Sequence, residues 1–226
     1  MKIFVVGSGK LANALLNSDL SIQDCEVIQW ETSYADLQEK SIIVHAGSGR
    51  QVNECFEYCK RTQSAFIELS TGLQSEAMDD LGFPVIICPN TSVLVLKTLH
   101  MVKKSGGHFK NYEVSITESH QSAKTTEPGT AFAFAHSLNH PTDKIISVRD
   151  PELQGKKMGI PGEYLDKHAW HRIVIRDGND EVSIETKVLG HDSYARGVKM
   201  IIQAILENRL ENKRYTVLDL IDKNML

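Results

Sequence analysis

Short apolar runs alternate with stretches of helical periodicity in the first ninety residues. Each run is rich in β-branched and aromatic residues and ends at a polar residue or glycine, which predicts a strand. The predicted strands are residues 2–6, 26–30, 41–44, 65–69 and 84–88. Helical spacing follows the first strand at Leu11, Ala14 and Leu15, and it returns over 51–61. Strands that alternate with helices form parallel βαβ units, so we expect an α/β fold with a doubly wound, Rossmann-type sheet.

The pattern changes after about residue 93. Further strands are predicted over residues 112–116, 144–148, 172–175 and 182–188. The last two are joined by Asp177-Gly178-Asn179-Asp180, which is typical of a β-hairpin. With few helices between these strands, the pattern indicates a second α+β domain built on an open mixed or antiparallel sheet.

A long amphipathic helix is predicted after Asp192 or Ser193. Its apolar stripe consists of Val198, Ile201, Ile202 and Ile205. We expect this stripe to pack back on the first sheet, which would make the first domain discontinuous. The predicted organisation is a dinucleotide-binding domain at 1–92 plus 197–226 and a substrate-binding and oligomerisation domain at 93–196.

Composition narrows the classes of partner. The chain of 226 residues has a formal net charge of -4 and a sequence pI of about 6.1, which argues against binding to nucleic acid or to an anionic membrane. No apolar run approaches the roughly 20 residues that span a bilayer, and the first ten residues are interpreted as an opening strand.

The spacing of the cysteines and histidines argues against disulfide or redox sites and against metal sites. No CxxC pair occurs among Cys25, Cys55, Cys59 and Cys88, so we expect a reducing, cytoplasmic location. Cys55 and Cys59 lie four apart on a predicted helix, where packing is favoured over redox chemistry. The histidine pairs at 136/140 and 168/171 lack further ligands at metal-binding spacing, so no metal is expected.

A glycine-rich turn links the first strand to the first helix. Its residues are Gly7, Ser8, Gly9, Lys10, Leu11 and Ala12, a GxGxxA pattern. The first glycine allows the tight turn, and the second lets the backbone approach a pyrophosphate at the helix N-terminus. Glu31 follows the second strand, where a carboxylate binds ribose hydroxyls and repels a 2′-phosphate. We therefore expect NADH to be used at least as readily as NADPH, although Lys10 could reach a 2′-phosphate.

The segment 118–131 is the candidate for the chemistry. Pro128 suits a first helical turn, and the N–H groups of Gly129 and Thr130 then form a carboxylate site on the helix N-terminus. His120 and Lys124, four residues apart, can both face that site and move protons. The alternative interpretation is a solvated loop with no chemical role.

This segment resembles the signature loop of the 4-hydroxy-tetrahydrodipicolinate reductase (dihydrodipicolinate reductase) family. Four further stretches are similar to family motifs in the same order. They are Gly9 to Ala12, Leu69-Ser70-Thr71-Gly72, Cys88-Pro89-Asn90-Thr91-Ser92-Val93 and Tyr215 to Leu220. The resemblance implies reduction of the cyclic dicarboxylate 4-hydroxy-tetrahydrodipicolinate to tetrahydrodipicolinate with NADH or NADPH, in lysine and diaminopimelate biosynthesis.

The resemblance also implies roles for single residues. His120 and Lys124 would be catalytic, with Lys124 as proton donor, and the substrate would contact Gln121, Gly129 and Thr130. The nicotinamide side would be lined by Leu69, Ser70, Thr71, Cys88, Pro89, Asn90 and Thr91. The resemblance further implies that the domains close about a hinge near Ser92 and Gly197. It also implies a homotetramer joined through the second sheet.

The chain departs from the family pattern in several places. The loop is one residue short before Gly129, Gln121 replaces a histidine, and the aspartate of the loop pattern becomes Thr126 or Glu127. Outside the loop, Leu69 replaces a glycine, and the chain is shorter than the family's usual members. Two alternatives therefore stay open: an amine or amino-acid dehydrogenase on the same scaffold, and a catalytically weak nucleotide-binding regulator.

Overall fold

The computed structural model describes residues 1–17, 22–73 and 82–226. In chain order, the strands are β1 (Lys2–Val6), β2 (Glu26–Gln29), β3 (Ile42–His45), β4 (Ala65–Glu68), β5 (Val85–Ile87), β6 (Glu113–His120), β7 (Ile146–Val148), β8 (His168–Asp177), β9 (Asp180–Leu189) and β10 (Arg214–Thr216). The α-helices are α1 (Lys10–Asn17), α2 (Val52–Thr62), α3 (Val93–Ser105), α4 (Gly129–Ser137), α5 (Pro151–Met158), α6 (Asp192–Glu207) and α7 (Val217–Asp222).

Two compact units make up the chain. The first comprises Met1–Val93 and Tyr194–Leu226, and the second comprises Leu94–Ser193. The chain passes from one unit to the other in the first turn of α3 and again in the first turn of α6. The two functions assigned to these domains from the sequence stay predictions.

The first unit is built on a parallel sheet of six strands in the order β10-β5-β4-β3-β1-β2. Its central strands are buried along their whole length, which explains why they read as continuous apolar runs. Helix α2 packs its apolar face on this sheet through Phe56 and Tyr58, and Phe4 and Trp30 join the same core. The predicted α/β fold class is confirmed.

Both cysteines of α2 lie in this core. Cys55 and Cys59 are fully buried, and burial is the largest cause that raises the pKa of the Cys55 thiol to about 12. The same cause raises the pKa of Cys59 well above its usual value. A thiol held protonated in this way is a poor nucleophile, so both side chains act in packing.

Helix α6 returns to the first unit, as its apolar stripe predicted. Val198, Ile201 and Ile202 are completely buried. The helix lies so close to the chain after β5 that a β-carbon on Gly197 would clash with the carbonyl oxygen of Thr91. The hydroxyl of Thr91 also donates a hydrogen bond of 2.9 Å to the carbonyl oxygen of Tyr194.

The second unit has a mixed sheet in the order β7-β6-β8-β9. β6 pairs with β7 in parallel, and the pairs β6–β8 and β8–β9 are antiparallel. The predicted hairpin is present, with Gly178 at a φ of 56° in its two-residue turn. Two α-helices lie between these strands: α4 connects the parallel pair β6 and β7, and α5 lies between β7 and β8. None of the helices in the described residues has the length and apolar character that crossing a bilayer requires.

Candidate functional sites

The first candidate site lies where the sheet of the first unit changes direction. β2 lies on one side of β1, and β3 lies on the other side. The strand order therefore changes direction between β1 and β3, which makes this place the topological switch point of the sheet. Ligands of doubly wound folds bind at the carboxyl ends of strands at this point. A cavity of about 620 Å³ occupies this place in the first unit. It is lined by Val6, Gly7, Ser8, Gly9, Gln29, His45, Ala46, Gly47, Ser48, Arg50 and Gln51.

The two glycines of the β1–α1 turn are suited to their positions for different structural reasons. Gly7 has a φ of 129°, and a β-carbon there would come within 2.6 Å of the Ala46 carbonyl oxygen. A β-carbon on Gly9 would meet nothing within 4 Å, so its backbone faces open space. The amide of Gln29 fixes the turn by donating to the carbonyl oxygen of Gly7 at 2.9 Å. This geometry suits a pyrophosphate approaching the N-terminus of α1.

Glu31 is exposed and lies two residues beyond β2. Its carboxylate accepts a long hydrogen bond of 3.5 Å from the hydroxyl of Ser33. The residue thus follows the carboxyl end of the strand next to β1, and its role toward a ribose stays a prediction. Ser8 and Lys10 are also exposed, whereas Leu11 is half-buried against the unit.

The residues predicted to line the nicotinamide side follow β4 and β5 on the same edge of the sheet. Main-chain pairing continues past the strands, because the N–H of Leu69 donates to His45 and that of Cys88 to Glu68. The hydroxyl of Ser70 then donates to the carbonyl oxygen of Gly47 at 2.6 Å. Pro89 and Thr71 are exposed, and Asn90 is half-buried.

Thr91 differs from these neighbours. It is 3% exposed, and its hydroxyl bonds to the main chain of α6. The contact that the structure gives Thr91 is therefore a packing contact, and its role toward a cofactor stays a prediction.

Sequence reasoning missed a buried hydrogen bond between a histidine and a carboxylate at this edge. Nδ1 of His45 lies 2.7 Å from Oε1 of Glu68, and the side chains are 1% and 0% exposed. The two residues are direct register partners in β3 and β4, so their side chains share one face of the sheet. The same carboxylate oxygen accepts the N–H of Ser70 at 2.9 Å. His45 lines the cavity described above.

The second candidate site lies on β6 in the second unit. Glu118 and His120 are two residues apart on this strand and therefore face the same side. Oε2 of Glu118 lies 2.6 Å from Nδ1 of His120, and Oε1 accepts a hydrogen bond of 2.6 Å from Nη2 of Arg149. Glu118 is completely buried, and the His120 side chain is 14% exposed.

The buried Glu118 stays ionised through its partners. Burial alone would raise the pKa of this carboxyl, but hydrogen bonds from His120, Arg149 and Ser147 lower it to about 2. A buried carboxylate held by two cationic or polar partners fixes the orientation of each. His120 is thereby held by a partner that is negative at any working pH.

A second layer surrounds His120. The amide of Gln154 donates to the carbonyl oxygens of His120, at 2.8 Å, and of Val148, at 3.1 Å. His171 lies edge-on to His120 with ring centroids 5.7 Å apart, and its Nδ1 bonds to the hydroxyl of Thr186. Burial is the main cause that lowers the pKa of His171 to about 4, and the charge of His120 adds to it.

One further hydrogen bond lies on the opposite face of the sheet. Ser119 bonds to Nε2 of His168 at 2.9 Å. Both histidines of the pair 168/171, which drew attention only as possible metal ligands, thus belong to the shell of β6.

The rest of the predicted loop is more open. Residues 121–124 form a turn in which the N–H of Lys124 donates to the carbonyl oxygen of Gln121 at 3.0 Å. Nζ of Lys124 donates to the hydroxyl of Thr126 at 2.8 Å. The two predicted catalytic residues thus have different partners, His120 inside the buried network and Lys124 in the loop beyond it.

The predicted carboxylate site lies at the N-terminus of α4, where its binding role stays a prediction. The helix begins at Gly129, and Pro128 precedes it as the N-cap residue rather than occupying the first turn. The N–H of Gly129 already donates to the carbonyl oxygen of Glu127 at 3.0 Å, so a carboxylate would compete for this donor. Gly129 is exposed and Thr130 half-buried.

Comparison with known proteins gives a consistent result. Residues 93–221, more than half of the chain, match the family model described as dihydrodipicolinate reductase, C-terminus. A probable 4-hydroxy-tetrahydrodipicolinate reductase 2, chloroplastic, of Oryza sativa subsp. japonica is 29% identical over 180 residues, which cover 73% of this chain and 55% of the relative. The 4-hydroxy-tetrahydrodipicolinate reductase 1, chloroplastic, of Arabidopsis thaliana is 24% identical over 208 residues, which cover 84% and 60%. The matched segments thus span between 55% and 60% of the length of these two relatives.

Solved structures share the fold. A dipicolinate-bound dihydrodipicolinate reductase from Paenisporosarcina sp. TG-14 superposes with a TM-score of 0.68 at 16% identity, covering 98% of this chain and 99% of the other. A diaminopimelate (DAP) dehydrogenase of C. glutamicum in complex with DAP gives a TM-score of 0.53 at 6% identity, covering 97% and 93%.

Proposed function

Because the chain belongs to the dihydrodipicolinate reductase family, we propose that it is an oxidoreductase that reduces 4-hydroxy-tetrahydrodipicolinate to tetrahydrodipicolinate with NADH or NADPH. The observation that carries this proposal is His120, held by the ionised, buried Glu118 at the start of the family's signature loop. A solvated loop without a chemical role gives no reason to bury a carboxylate under a histidine.

The cofactor would be held by the first unit. Gly7 supplies the turn, Gly9 leaves room for a pyrophosphate, and Glu31 offers a carboxylate to ribose hydroxyls. When bound, the nicotinamide supplies a hydride. Glu31 supports NADH as the better partner, since a carboxylate repels a 2′-phosphate, and Lys10 would be the residue that offsets this for NADPH.

The second unit would bind the substrate and supply protons. The N-terminus of α4, with Gly129 and Thr130, offers a positive helix end to a carboxylate, and Gln121 offers a neutral amide beside it. The overall reaction consumes one hydride and one proton and releases the 4-hydroxyl as water. Lys124 would donate the proton, while His120 orients the substrate and relays protons in a position fixed by Glu118.

The proposal includes the predicted domain roles, with 1–92 plus 197–226 for the dinucleotide and 93–196 for substrate and assembly. It extends to a homotetramer joined through the sheet of the second unit, which light scattering of the purified protein would test. The names of the plant relatives carry the word chloroplastic. The cytoplasmic location proposed for this chain depends only on its four free cysteines.

The direct test supplies purified protein with enzymatically generated 4-hydroxy-tetrahydrodipicolinate and follows the loss of reduced nicotinamide absorbance. Turnover that requires both the substrate and the protein is the expected result. Omitting the substrate-generating enzyme controls for slow background oxidation. Dinucleotide binding without turnover would instead favour the regulator, and oxidation of amino acids with NAD⁺ or NADP⁺ would favour the amine or amino-acid dehydrogenase.

A further inference from the structure

The pair His45–Glu68 lies at the switch point of the first unit without a role in the chemistry described so far. Buried polar side chains are costly unless they are hydrogen-bonded, and both members of this pair are. An apolar pair would fill the same place in the core, since the preceding pair on this face of β3 and β4, Ile43 and Phe66, is apolar and completely buried. The pair is therefore more than packing requires.

The orientation of the ring follows from the hydrogen bonds. Nδ1 of His45 is engaged with Oε1 of Glu68, which leaves Nε2 as the nitrogen for another partner. Glu68 is itself held by the main chain of Ser70, and the ring of His45 stacks on Phe66 with an interplanar angle of 21°. The imidazole is thus fixed from two directions.

Gly47 places no side chain beside Nε2, although the side chain of His45 as a whole is only 1% exposed. A β-carbon at this position would come within 3.0 Å of Nε2 of His45 and within 3.5 Å of the α-carbon of Gly7. Gly47 does not have a positive φ, so its backbone does not require glycine. Because Gly47 has no side chain, the space between Nε2 of His45 and Gly7 in the β1–α1 turn stays open. His45, Gly47 and Gly7 all line the same cavity.

On the proposed function, we infer that His45 binds the ribose on the nicotinamide side of the dinucleotide through Nε2, and that Glu68 is the positioning residue for its ring. The pyrophosphate is expected at Gly7 and Gly9, and Glu31, on the β2 side, is the partner of the adenosine ribose. Beyond the pyrophosphate, on the β3 side, the next group of the dinucleotide is the ribose that carries the nicotinamide. Its hydroxyls both donate and accept, so they can bond Nε2 in either protonation state.

Two substitutions separate the two nitrogens of the ring. His45→Asn keeps an amide near the place of Nδ1, where it can still bond Glu68, and removes Nε2. His45→Gln brings an amide near the place of Nε2 and loses the bond to Glu68. Calorimetry measures the binding of NADH, ADP-ribose and AMP to each variant. ADP-ribose retains the ribose of the nicotinamide side and AMP lacks it. Thermal unfolding shows whether each variant is folded.

The expected result is a crossed pattern. His45→Asn should melt close to wild type but bind NADH and ADP-ribose about tenfold more weakly, with AMP unchanged, since one hydrogen bond is lost. His45→Gln should melt lower yet retain more of the affinity. Gly47→Ala, which covers Nε2 without straining the backbone, should reproduce the selective loss even if His45→Asn folds poorly.

Three outcomes would overturn the inference. If His45→Asn and Gly47→Ala bind all three ligands as wild type does, the pair is structural only. If AMP weakens as much as NADH, His45 acts on the adenosine side or on the fold as a whole. If wild type binds neither NADH nor NADPH, the proposed function fails together with this inference.

Discussion

Glu118 and His120 form a hydrogen bond of 2.6 Å along one face of β6, and Arg149 holds the other oxygen of the same carboxylate. The bond engages Nδ1 of the histidine, so that Nε2 is the nitrogen available to a substrate. A histidine supported in this way by a buried carboxylate is the arrangement by which enzymes fix the tautomer of an acid–base residue.

Replacing Glu118 by glutamine should lower kcat by roughly tenfold or more, because His120 loses the charge that fixes its ring. NADH affinity should not change, since the first unit is untouched. Steady-state kinetics with separate measurement of NADH binding check this. Glu185→Gln, on the exposed face of β9, is the matched control and should keep the wild-type rate. An active Glu118→Gln variant would remove His120 from the mechanism.

Glu118 should also stabilise the fold in a pH-dependent way. Its folded pKa of about 2 is below the ordinary value of 4.5, so its stabilising contribution is complete above that value and is lost as the pH falls toward 2. The contribution is on the order of 3 kcal/mol at neutral pH. Chemical denaturation of wild type and Glu118→Gln should therefore give free energies of unfolding that converge between about pH 5 and pH 2.

His171 should make the free energy of unfolding depend on pH in a higher pH range than Glu118 does. Burial lowers its folded pKa from 6.5 to about 4, so the neutral ring stabilises the fold above 6.5 and this contribution is lost as the pH falls through 4. In His171→Gln the decline in the free energy of unfolding between these values should be smaller than in wild type. His136→Gln, exposed on α4, should leave the decline unchanged. Equal slopes in all three proteins would mean that His171 is charged in the fold.

Lys124→Met tests the proton donor. The change should lower kcat by roughly a hundredfold, the usual scale for a lost general acid, and leave NADH affinity nearly unchanged. His120→Gln should lower kcat less, because glutamine still forms hydrogen bonds. Lys110→Met removes an exposed lysine before β6 and should have no effect. Normal turnover in Lys124→Met would assign the proton to another group.

Glu31 should determine the choice of nucleotide. Wild type should bind NADH no more weakly than NADPH, and Glu31→Ala should improve NADPH binding relative to NADH, by about tenfold if one charge repulsion of about 1.4 kcal/mol is removed. Fluorescence titration with both nucleotides measures the ratio. Glu57→Ala, an exposed glutamate on α2, should leave the ratio as it is. A clear NADPH preference in wild type would contradict the electrostatic argument.

Gly197→Ala should destabilise the protein although alanine favours helices by about 1 kcal/mol over glycine. The new β-carbon would clash with the carbonyl oxygen of Thr91, and main chain cannot move aside as a flexible side chain does. Gly155→Ala in α5 is the matched control, because the nearest atom to its β-carbon would be 3.9 Å away. Thermal unfolding should show a large fall in Tm for the first variant and a small rise for the second.

Local signals in the sequence were sufficient for much of the fold. The turn at Gly7 and the hairpin at Gly178 each depend on residues a few positions apart, and both were predicted. Helix α5 also has local signals in the sequence: the Asp150 side chain caps it, Pro151 begins it and Gly159 ends it in the left-handed conformation. Strand β10, with three residues, is too short to show a period.

The partners of the site residues depend on register, which the sequence does not display. His45 meets Glu68 only because β3 and β4 pair with these positions opposite each other, 23 residues apart. Arg149 reaches Glu118 across 31 residues. The sequence therefore predicts a role for His120 but not the carboxylate network that holds its ring.

The hydrogen bond between Thr91 and Tyr194 has a consequence for how this chain can be divided. It joins the end of the stretch Met1–Val93 to the start of the stretch Tyr194–Leu226. The point at which the chain leaves the first unit and the point at which it returns are therefore neighbours in space. The 94–193 segment is therefore arranged as an insertion whose two ends start side by side. A short glycine-serine bridge from Val93 to Tyr194 should therefore close the first unit into a continuous chain that still unfolds cooperatively, as chemical denaturation of the shortened protein would show.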